Sequence, residues 1–484
     1  MKRKTILFAA EGTYPYIMGG VSTWSDQLIK GLPAFDFKIM TVVGPHPVEV
    51  AIDLPPNVKE VMPVHFWRPR EEVQRPRKEH ILRFNMLMPN LLSFSYGDVE
   101  TFAQSLMMLA RLGHDYDLWS LFENRSTWEI VRATLAELLG AAPRLGEVTL
   151  AINWLKSTLA PLLFIPPRTD VVHVVTNGLC AIPAYIAAKT YQVPMVLTEH
   201  GVYLRERYLG FKAENDPYSL KLFRSRFYET LAKMMYQHCE SVTSVSHFNR
   251  YWQLEFGAAP ERTRVIPNGI DPVSYPIAPV KHQDVPTIVW IGRVDPLKDL
   301  ETLIRSFAKV REAIPNAKLR MFGPVPKGNE SYHNRLKAAV TELSLQDSAI
   351  FEGPIRPAFE AYHKADVVVL SSISEGFPYT VVEAMMCARP VVSTRAGGVG
   401  DAIGDVGYLV QPRNPSALAE ALVEVLKNPQ LREALGARSR QRCLDEFTLG
   451  KMCARYGKLY EEVSEMPVHY QWDRGARDRE VMYS

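Results

Sequence analysis

Residues 366–385 read "DVVVLSSISEGFPYTVVEAM" and combine a strand, a turn and the start of a helix. The run "DVVVLSS" is continuously apolar rather than alternating, as is typical of a strand buried on both faces of a parallel sheet. Gly376 permits a bend, and Pro378 suits a first helical turn. The stretch therefore predicts one strand–helix unit, with Glu375 in the loop and Glu383 about one and a half turns into the helix.

The same strand–helix unit recurs along the whole chain. Amphipathic helical patterns such as "DLETLIRSFAKVREAI" alternate with short apolar runs, which predicts doubly wound α/β folds. The predicted strands are TILFAAEG, FKIMTVVG, DVVHVVTN, PMVLTEHG, SVTSVS, TRVIPNG, TIVWIGRV, AKLRMFGP, AIFEGP, DVVVLSS and PVVSTRAG. The runs form two series, separated at 266–286 by a segment rich in Pro, Gly and Asp that is typical of a linker.

The two series predict two domains, at 1–270 and 284–450. Residues from about 65 to 165 break the strand–helix rhythm and carry Met, Leu, Phe and Trp at helical spacing. We interpret them as a helical insertion in the first domain, and favour a packed cap over a lipid-contacting surface. Residues 451–484 are predicted to form a C-terminal helix that packs back on the first domain, followed by a charged tail.

Composition excludes several classes of protein. Lys and Arg number 56 against 53 Asp and Glu, so the net charge of +3 gives no basis for a nucleic-acid partner. The five cysteines are scattered and form no CxxC pair, which indicates a reducing compartment and neither a disulfide framework nor a zinc cluster. The opening "MKRKTILFAAEGTYPY" has an apolar run too short for a signal peptide and predicts a first strand. No apolar run reaches the ~20 residues that span a bilayer, so we expect a cytoplasmic protein that could still dock on a membrane.

Ligands of open α/β sheets bind beyond the carboxyl ends of the strands, and chemistry-bearing residues follow several strands here. Gly19 and Gly20 precede a helix, where backbone amides could approach an anion, although the pair taken alone favours a simple turn. His200 follows "PMVLT", where a structural and a catalytic role are both open. Arg293 and Lys298 flank a proline turn before a helix, and we favour a diphosphate clamp over a solvated basic loop.

Two further motifs are weaker. "AGGVGDAIG" (396–404) resembles a dinucleotide fingerprint, but its glycine spacing does not fit one. Asp115 and Asp117 form a D-x-D that could bind a metal–nucleotide, yet no strand precedes them, so we expect a solvated helix face.

Taken together, four motifs resemble those of the retaining glycosyltransferases of family 4. "SEGFPYTVVEAM" resembles the E-x7-E motif of that family, and "GRVDPLKDL" resembles its Arg–Lys phosphate motif. "VIPNGID" is similar to its interdomain linker, and the glycine pair after the first strand also fits. More narrowly, "EGTYPYIMGGVSTW" and "TEHGVYLRERY" resemble the glycosyltransferases of Pel exopolysaccharide synthesis, which carry a helical insertion of this kind.

The resemblance implies a GT-B fold: two Rossmann-like domains facing across a cleft, with the nucleotide sugar mainly on the second. It implies that Glu383 binds the ribose, that Glu375 holds hydroxyls of the transferred sugar, and that Arg293 and Lys298 neutralise the leaving diphosphate in place of a metal ion. Gly19 and Gly20 would touch the phosphate from the first domain, and His200 would approach the sugar. The remaining donor contacts implied are Gly376, Phe377, Pro378, Tyr379 and Thr380 at the diphosphate, and the strand ends Gly323–Pro324 and Gly353–Ile355 beside the base.

The same resemblance predicts a retaining, metal-independent hexosyltransferase without a cofactor. Its donor would be UDP-linked, with UDP-glucose or a UDP-hexosamine leading, and its acceptor a growing exopolysaccharide of biofilms. Membrane-embedded synthase subunits would be its partners at the inner face of the membrane. Two alternatives are a non-catalytic nucleotide-sugar-binding subunit of a synthase complex and a GT-B phosphorylase with pyridoxal phosphate, for which the sequence has no motif.

Overall fold

The computed structural model describes residues 3–17, 19–44, 46, 48–65, 74–93, 98–211, 215–277 and 285–466. Part of the predicted linker (278–284), two segments of the predicted insertion (66–73 and 94–97) and the predicted charged tail after 466 lie outside the described residues.

The first sheet has seven parallel strands in the order β3-β2-β1-β4-β5-β6-β7. A strand order that reverses direction at β1 is the doubly wound pattern, with its ligand crevice at the carboxyl ends of the strands. The strands are β1 (Thr5–Glu11), β2 (Asp36–Val43), β3 (Val58–His65), β4 (Val171–Val174), β5 (Met195–Glu199), β6 (Ser241–Ser244) and β7 (Thr263–Val265).

The second sheet repeats this pattern with six parallel strands in the order β10-β9-β8-β11-β12-β13. Its order reverses at β8, which places the crevice beside the loops that follow β8 and β11. The strands are β8 (Thr287–Ile291), β9 (Lys318–Phe322), β10 (Ala349–Gly353), β11 (Val367–Leu370), β12 (Val391–Thr394) and β13 (Tyr408–Val410).

Helices cover both faces of each sheet. In the first half they are α1 (Gly20–Gly31), α2 (Lys78–Leu91), α3 (Val99–Asp115), α4 (Leu118–Phe122), α5 (Arg125–Leu139), α6 (Leu145–Leu159), α7 (Ala181–Tyr191), α8 (Tyr203–Gly210), α9 (Tyr218–His238) and α10 (His247–Glu255). In the second half they are α11 (Leu300–Ala313), α12 (Glu330–Glu342), α13 (Phe359–His363), α14 (Tyr379–Met386), α15 (Val399–Ile403), α16 (Pro415–Lys427), α17 (Pro429–Glu446) and α18 (Leu449–Glu465). Every helix of the described residues is too short or too polar to cross a bilayer.

The α/β architecture predicted from the apolar runs is confirmed, and each of the predicted runs contains a strand. Helices α2 to α6 lie between β3 and β4 and form the helical insertion of the first domain. Their buried side chains, such as Phe84, Phe102 and Leu135, join those of β1, β2 and β4 in one continuous core. The insertion therefore packs as part of the first domain and not as a separate unit.

Helix α18 leaves the second half of the chain and lies against the first sheet. Its Met452, Tyr456 and Tyr460 are buried in one core with Phe8 and Trp24. The two segments that connect the halves are joined by a parallel bridge between Ile270 and Thr448, in which Ile270 N donates to Phe447 O and Leu449 N donates to Ile270 O. The two chain segments that cross between the domains, at Ile270 and at Thr448, thus run side by side.

Candidate active site

The candidate site lies where the carboxyl ends of the two sheets face each other. The first domain contributes the loops after β1 and β5, and the second contributes the loops after β8, β11 and β12. The two sides touch in this structure: Arg205 Nη1 donates to Ser374 Oγ at 3.1 Å, and Phe248 N donates to Asp401 Oδ2 at 3.2 Å. Within the first domain, Asn249 Nδ2 donates to His200 O at 2.9 Å. The contacts between the domains bring residues of both halves into one cleft, as ligand binding at a switch point requires.

Lys298 and Glu375 form an ion pair in this cleft. Lys298 Nζ lies 2.5 Å from Glu375 Oε1, and Ser372 Oγ donates to the same oxygen at 2.6 Å. The Glu375 side chain is 11% exposed and that of Lys298 is 22% exposed. Lys298 ends a short 3-10 turn that Asp295 caps, which fixes the lysine backbone. The cation predicted for the diphosphate and the carboxylate predicted for the sugar are therefore direct neighbours.

Arg293 belongs to the same loop but has a different setting. It is exposed and, within the described part of the chain, makes no hydrogen bond or ion pair. The base-flanking residues predicted from the strand ends lie close by, since Val294 N donates to Pro324 O at 2.9 Å and Gly323 N donates to Gly353 O at 2.8 Å. Gly323 has a φ of 143°, and a Cβ there would meet Gly292 O at 1.6 Å. Only glycine fits this close approach.

Glu383 is held by two tyrosines. Tyr275 Oη donates to Oε1 at 2.7 Å, and Tyr362 Oη donates to Oε2 at 2.6 Å. Burial raises the pKa of the Glu383 carboxyl, and the two tyrosine hydrogen bonds oppose that rise because they stabilise the carboxylate. Glu383 is thus a fixed acceptor within α14, whereas Glu375 lies in the loop before that helix.

The N-terminus of α14 lies between the two glutamates. Pro378 is the residue before the helix, with φ −76° and ψ 118°, so the prediction that it lies in the first helical turn is wrong by one position. Its extended backbone turns the chain into the helix at Tyr379. The first amides of a helix lack intrahelical partners and carry partial positive charge, so those near Phe377, Tyr379 and Thr380 can bind an anion.

Three glycines allow the loops to pack on one another here. A Cβ on Gly376 would meet His200 O at 2.0 Å, one on Gly397 would meet Glu375 O at 2.0 Å, and one on Gly398 would meet Gly376 O at 1.9 Å. Side chains at these positions would force the backbones apart. Gly397 and Gly398 of "AGGVGDAIG" therefore allow close packing against the Glu375 loop. This packing role differs from that of the glycines in a dinucleotide-binding motif.

His200 reaches the cleft from the first domain. Its ring packs edge-on against Trp24, with centroids 4.4 Å apart, and its Nε2 is shielded from solvent without a hydrogen-bond partner in the described residues. Burial lowers the pKa of His200 to about 3, so the imidazole is neutral near neutral pH. A buried ring nitrogen without a partner is unusual and suits a residue whose partner is a ligand.

Gly19 and Gly20 open helix α1 on the same side. Gly19 is the residue before the helix and gives no side-chain cap, and no heavy atom lies within 4 Å of a Cβ added at either glycine. The pair is therefore not required by packing within the described chain. The first turn of α1 remains open to a ligand, in keeping with the predicted phosphate contact.

Glu199 precedes His200 but has a different role. Its carboxylate accepts from Tyr236 Oη at 2.8 Å, Gln253 Nε2 at 3.0 Å and Tyr203 N at 3.1 Å. Burial raises the pKa of Glu199 to about 7. With its hydrogen bonds already made inside the domain, Glu199 acts as a structural acceptor beneath the His200 loop.

The D-x-D motif lies away from the cleft, in the insertion. Asp115 is the last residue of α3, and Asp117 caps α4 by accepting from Trp119 N at 3.1 Å. The expectation of a solvated helix face is therefore wrong for Asp117, because the chain turns between two helices there. Among the described residues no group of three or more His, Cys, Asp and Glu could hold a metal ion.

Sequence reasoning missed Tyr275, Tyr362, Arg205 and Asn249. All four act through long-range contacts, such as the one between Tyr275 and Glu383, which are 108 residues apart. A tyrosine in the linker and an asparagine after a strand have no distinctive spacing, so no local signal could have identified them.

Comparison with known proteins matches each half of the chain to a family model. Residues 4–261 match the model of a domain of unknown function (DUF3492), and residues 276–442 match the model of glycosyl transferases group 1. D-inositol 3-phosphate glycosyltransferase of Kineococcus radiotolerans is 31% identical over 212 residues, which are 39% of this chain and 49% of that protein. The chain spans about half the length of the curated relatives it matches.

Two solved structures resemble the whole molecule. Anabaena Alr3699/HepE in complex with UDP superimposes with a TM-score of 0.62 at 16% identity, over 95% of this chain and 100% of that one. Sucrose-phosphate synthase from Thermosynechococcus elongatus gives a TM-score of 0.62 at 19% identity, over 96% of this chain and 99% of that one. These likenesses establish the GT-B fold. Because the first family model spans more than half of the chain, the protein belongs to the DUF3492 family, in which that domain is here joined to a glycosyl transferases group 1 domain.

Proposed function

We propose that the protein is a retaining, metal-independent glycosyltransferase that moves a hexose from a UDP-sugar to a growing exopolysaccharide of the Pel type. The observation that carries the proposal is the pair of carboxylates at the start of α14. Glu375, in the loop before the helix, is paired with Lys298, and Glu383, within the helix, is held by two tyrosine hydroxyls. A cation and a helix start suit a diphosphate, and the two carboxylates suit hydroxyls at its two ends.

In the proposed reaction the bond between the sugar C1 and the diphosphate oxygen breaks, and an acceptor hydroxyl attacks C1 from the same face. Its proton passes to the departing diphosphate, so that the negative charge left on the diphosphate develops beside Lys298, Arg293 and the amides of α14. Preformed positive groups at that place stabilise the charge without reorganisation. Glu375 orients the sugar by its hydroxyls, and the neutral ring of His200 can donate or accept one hydrogen bond to it.

UDP-glucose is the first donor to test. The Anabaena protein of the same fold was crystallised with UDP, with UDP and glucose, and with UDP-glucose. A panel of UDP-glucose, UDP-hexosamines and other nucleotide sugars, assayed for donor turnover with an oligosaccharide acceptor, tests the activity. Binding of a donor with no turnover on any acceptor would favour the non-catalytic subunit instead.

Metal independence is tested in the same assay. We expect turnover and UDP binding to survive chelation with EDTA, because Arg293, Lys298 and the start of α14 supply the positive charge that a divalent ion supplies elsewhere. Variants Arg293→Ala and Lys298→Ala should each lower turnover. Turnover that is lost in EDTA and restored by manganese would overturn the metal-independent mechanism.

We further propose that the protein is cytoplasmic and is recruited to membrane-embedded synthase subunits through the insertion. Leu82 and Met86, one turn apart on α2, are 64% and 68% exposed, and the neighbouring Lys78 is also exposed. Exposed apolar side chains grouped on one helix face favour a contact surface. The partner would be the cytoplasmic face of such a subunit.

Surface substitutions test this recruitment better than deletion, because the insertion shares its core with the first sheet. The double variant Leu82→Asp, Met86→Asp should no longer be found in the membrane fraction of cells, but it should bind UDP with wild-type affinity. Leu343→Asp, which changes an exposed leucine of the second domain, is the control. Recruitment that persists in the double variant would move the docking surface elsewhere.

A further inference from the structure

The linker between the domains contributes a side chain to the candidate site. Tyr275 lies in the segment that joins the domains, yet its hydroxyl reaches Glu383 Oε1 at 2.7 Å. Tyr362, from α13 in the second domain, reaches the other carboxylate oxygen at 2.6 Å. One donor on each oxygen prevents the carboxylate from rotating about its terminal bond, so its plane is fixed.

The two tyrosines leave Glu383 able to accept more hydrogen bonds. An ionised carboxylate has about four acceptor positions, and the tyrosines occupy only one on each oxygen. One position per oxygen therefore remains, which matches the two neighbouring hydroxyls of a ribose. Since ribose hydroxyls are donors, they need the ionised carboxylate that tyrosine hydrogen bonds favour.

The linker is itself anchored around Tyr275. Arg440 Nη1 donates to Tyr275 O at 3.2 Å, and the ring nitrogen Nε2 of His363 lies 2.9 Å from Pro276 O. Asp271 accepts from Val273 N and Ser274 Oγ, at 3.1 Å and 2.8 Å, and closes a turn just before it. The tyrosine is therefore fixed to the second domain at its backbone as well as at its hydroxyl.

We propose that Tyr275 is a positioning residue for nucleotide binding: together with Tyr362 it holds Glu383 in the orientation that receives the two ribose hydroxyls of the donor. This inference rests on the proposed function, since it presumes that Glu383 binds ribose. It adds the interdomain linker to the elements that determine nucleotide affinity.

The test compares UDP with 2′-deoxy-UDP by calorimetry. The wild-type protein should prefer UDP by about tenfold or more, because the deoxy analogue lacks one hydroxyl that donates to a carboxylate. Tyr275→Phe should weaken UDP by about three- to tenfold and 2′-deoxy-UDP by a smaller factor, because the analogue keeps only one hydroxyl that donates to Glu383. The preference for UDP over 2′-deoxy-UDP should therefore become smaller. In the transferase assay the KM for the donor should rise while kcat changes little, since the contact exists before and during reaction.

Tyr332→Phe is the matched control, because the Tyr332 hydroxyl also donates to a carboxylate of the second domain, that of Glu301. Tyr332→Phe should keep the wild-type preference for UDP over 2′-deoxy-UDP. Tyr362→Phe should reduce that preference, as Tyr275→Phe does. If Tyr275→Phe weakens both nucleotides by the same factor, or neither, the positioning role is wrong. If Glu383→Ala keeps the wild-type preference for UDP, the ribose assignment itself fails, whatever Tyr275→Phe does.

Discussion

Glu375 and Glu383 show how the surroundings of a carboxylate determine what it can bind. Glu375 lies beside a cation and a serine, whereas Glu383 lies between two tyrosines. Lys298 places a positive charge beside Glu375, which suits a sugar that is attached to a diphosphate. The tyrosines beside Glu383 are neutral, which suits a ligand that presents only hydroxyls. The sequence spacing predicts both positions, but neither environment.

At the scale of single residues, we expect substitution of Glu383 to affect mainly nucleotide binding and substitution of Glu375 to affect mainly turnover. Glu383→Ala should weaken UDP binding by about ten- to a hundredfold, because a hydrogen bond to a charged group contributes about 1.5–3 kcal/mol. Glu375→Ala should lower turnover and leave UDP affinity near the wild-type value, since in the proposed donor complex Glu375 binds the sugar and not the nucleotide. Calorimetry with UDP and a turnover assay measure the two effects. Equal losses of UDP affinity in both variants would contradict this division.

The residues that the sequence predicts best are those on one strand–turn–helix unit. Glu375, Gly376 and Glu383 follow from local pattern because the turn and the helix start fix their relative positions. The contact between Gly376 and His200 O could not be predicted, since it depends on how two domains approach. From the sequence, Gly376 predicts only a bend in the chain. The structure shows that its backbone also lies close to His200 O.

At the scale of elements, two strands escaped prediction for physical reasons. Strand β3 lies at the edge of the first sheet, contains Pro63 and has only two buried side chains, Met62 and Val64. Strand β13 has three residues, all half-buried, at the edge of the second sheet. These two edge strands lack the continuous apolar run that identifies central parallel strands, so hydrophobic pattern alone does not detect them.

Helix α18 is tied to the first sheet by a buried polar network as well as by its core. His173 Nδ1, on β4, lies 2.6 Å from Tyr460 Oη, and His173 Nε2 lies 2.7 Å from Thr198 Oγ1. Thr198 Oγ1 lies 2.6 Å from Thr243 Oγ1, which extends the network across three neighbouring strands. Each member is buried, so each hydrogen bond left unmade should be costly.

Tyr460→Phe should destabilise the protein by about 1–3 kcal/mol, because it leaves a buried ring nitrogen of His173 without a partner. Tyr456→Phe is the control: its hydroxyl lies 3.2 Å and 3.3 Å from threonine oxygens that already pair with each other. Denaturant unfolding of both variants gives the comparison. A loss of stability for Tyr460→Phe no larger than that for Tyr456→Phe would show that the histidine contact contributes little.

The same network predicts a pH effect on stability. Burial lowers the pKa of His173 to about 3, so the folded protein keeps the ring neutral while the unfolded chain protonates it below about 6.5. The stability that the neutral ring contributes is complete above that pH and is lost as the pH falls toward the folded pKa. Between pH 7 and pH 5 the wild type should lose about 2 kcal/mol through this residue alone.

Comparison with His173→Gln isolates this contribution from the other ionisable groups, among them Glu199, whose pKa burial raises to about 7. Glutamine can also make hydrogen bonds but does not titrate. The stability difference between wild type and variant should therefore shrink by about 2 kcal/mol from pH 7 to pH 5. Equilibrium unfolding at both pH values measures it, and a difference that stays constant would mean that His173 is protonated when folded.

At the scale of the whole molecule, the site depends on two domains that share few covalent connections. The crossings at Ile270 and Thr448 run side by side, so rotation of one domain against the other has a single narrow joint. A Cβ added at Gly269 would meet Thr448 O at 2.6 Å, which shows how closely the two crossings pack. The sequence indicates a linker at 266–286, but the pairing with the second crossing appears only in the folded molecule.

Domain closure follows from this arrangement. The proposed donor contacts come from both domains, and a ligand favours the closed state only by the contacts that it makes there and not in the open state. UDP alone should bind mainly to the second domain and compact the particle incompletely, whereas a donor with its sugar should compact it further. Small-angle scattering of the free, UDP-bound and donor-bound protein measures the radius of gyration in each state. An unchanged radius in all three, with binding confirmed, would contradict a mobile cleft.

A single methyl group should separate closure from nucleotide binding. Gly376→Ala places a Cβ where it would meet His200 O at 2.0 Å, so the domains cannot approach as they do in this structure. The variant should bind UDP with nearly normal affinity, fail to compact further with the UDP-sugar, and lose most of its turnover. Gly400→Ala is the control, because the nearest atom to its new methyl group is Leu409 Cδ1 at 4.0 Å. Normal turnover in Gly376→Ala would show that the approach of Gly376 to His200 is not required for the reaction.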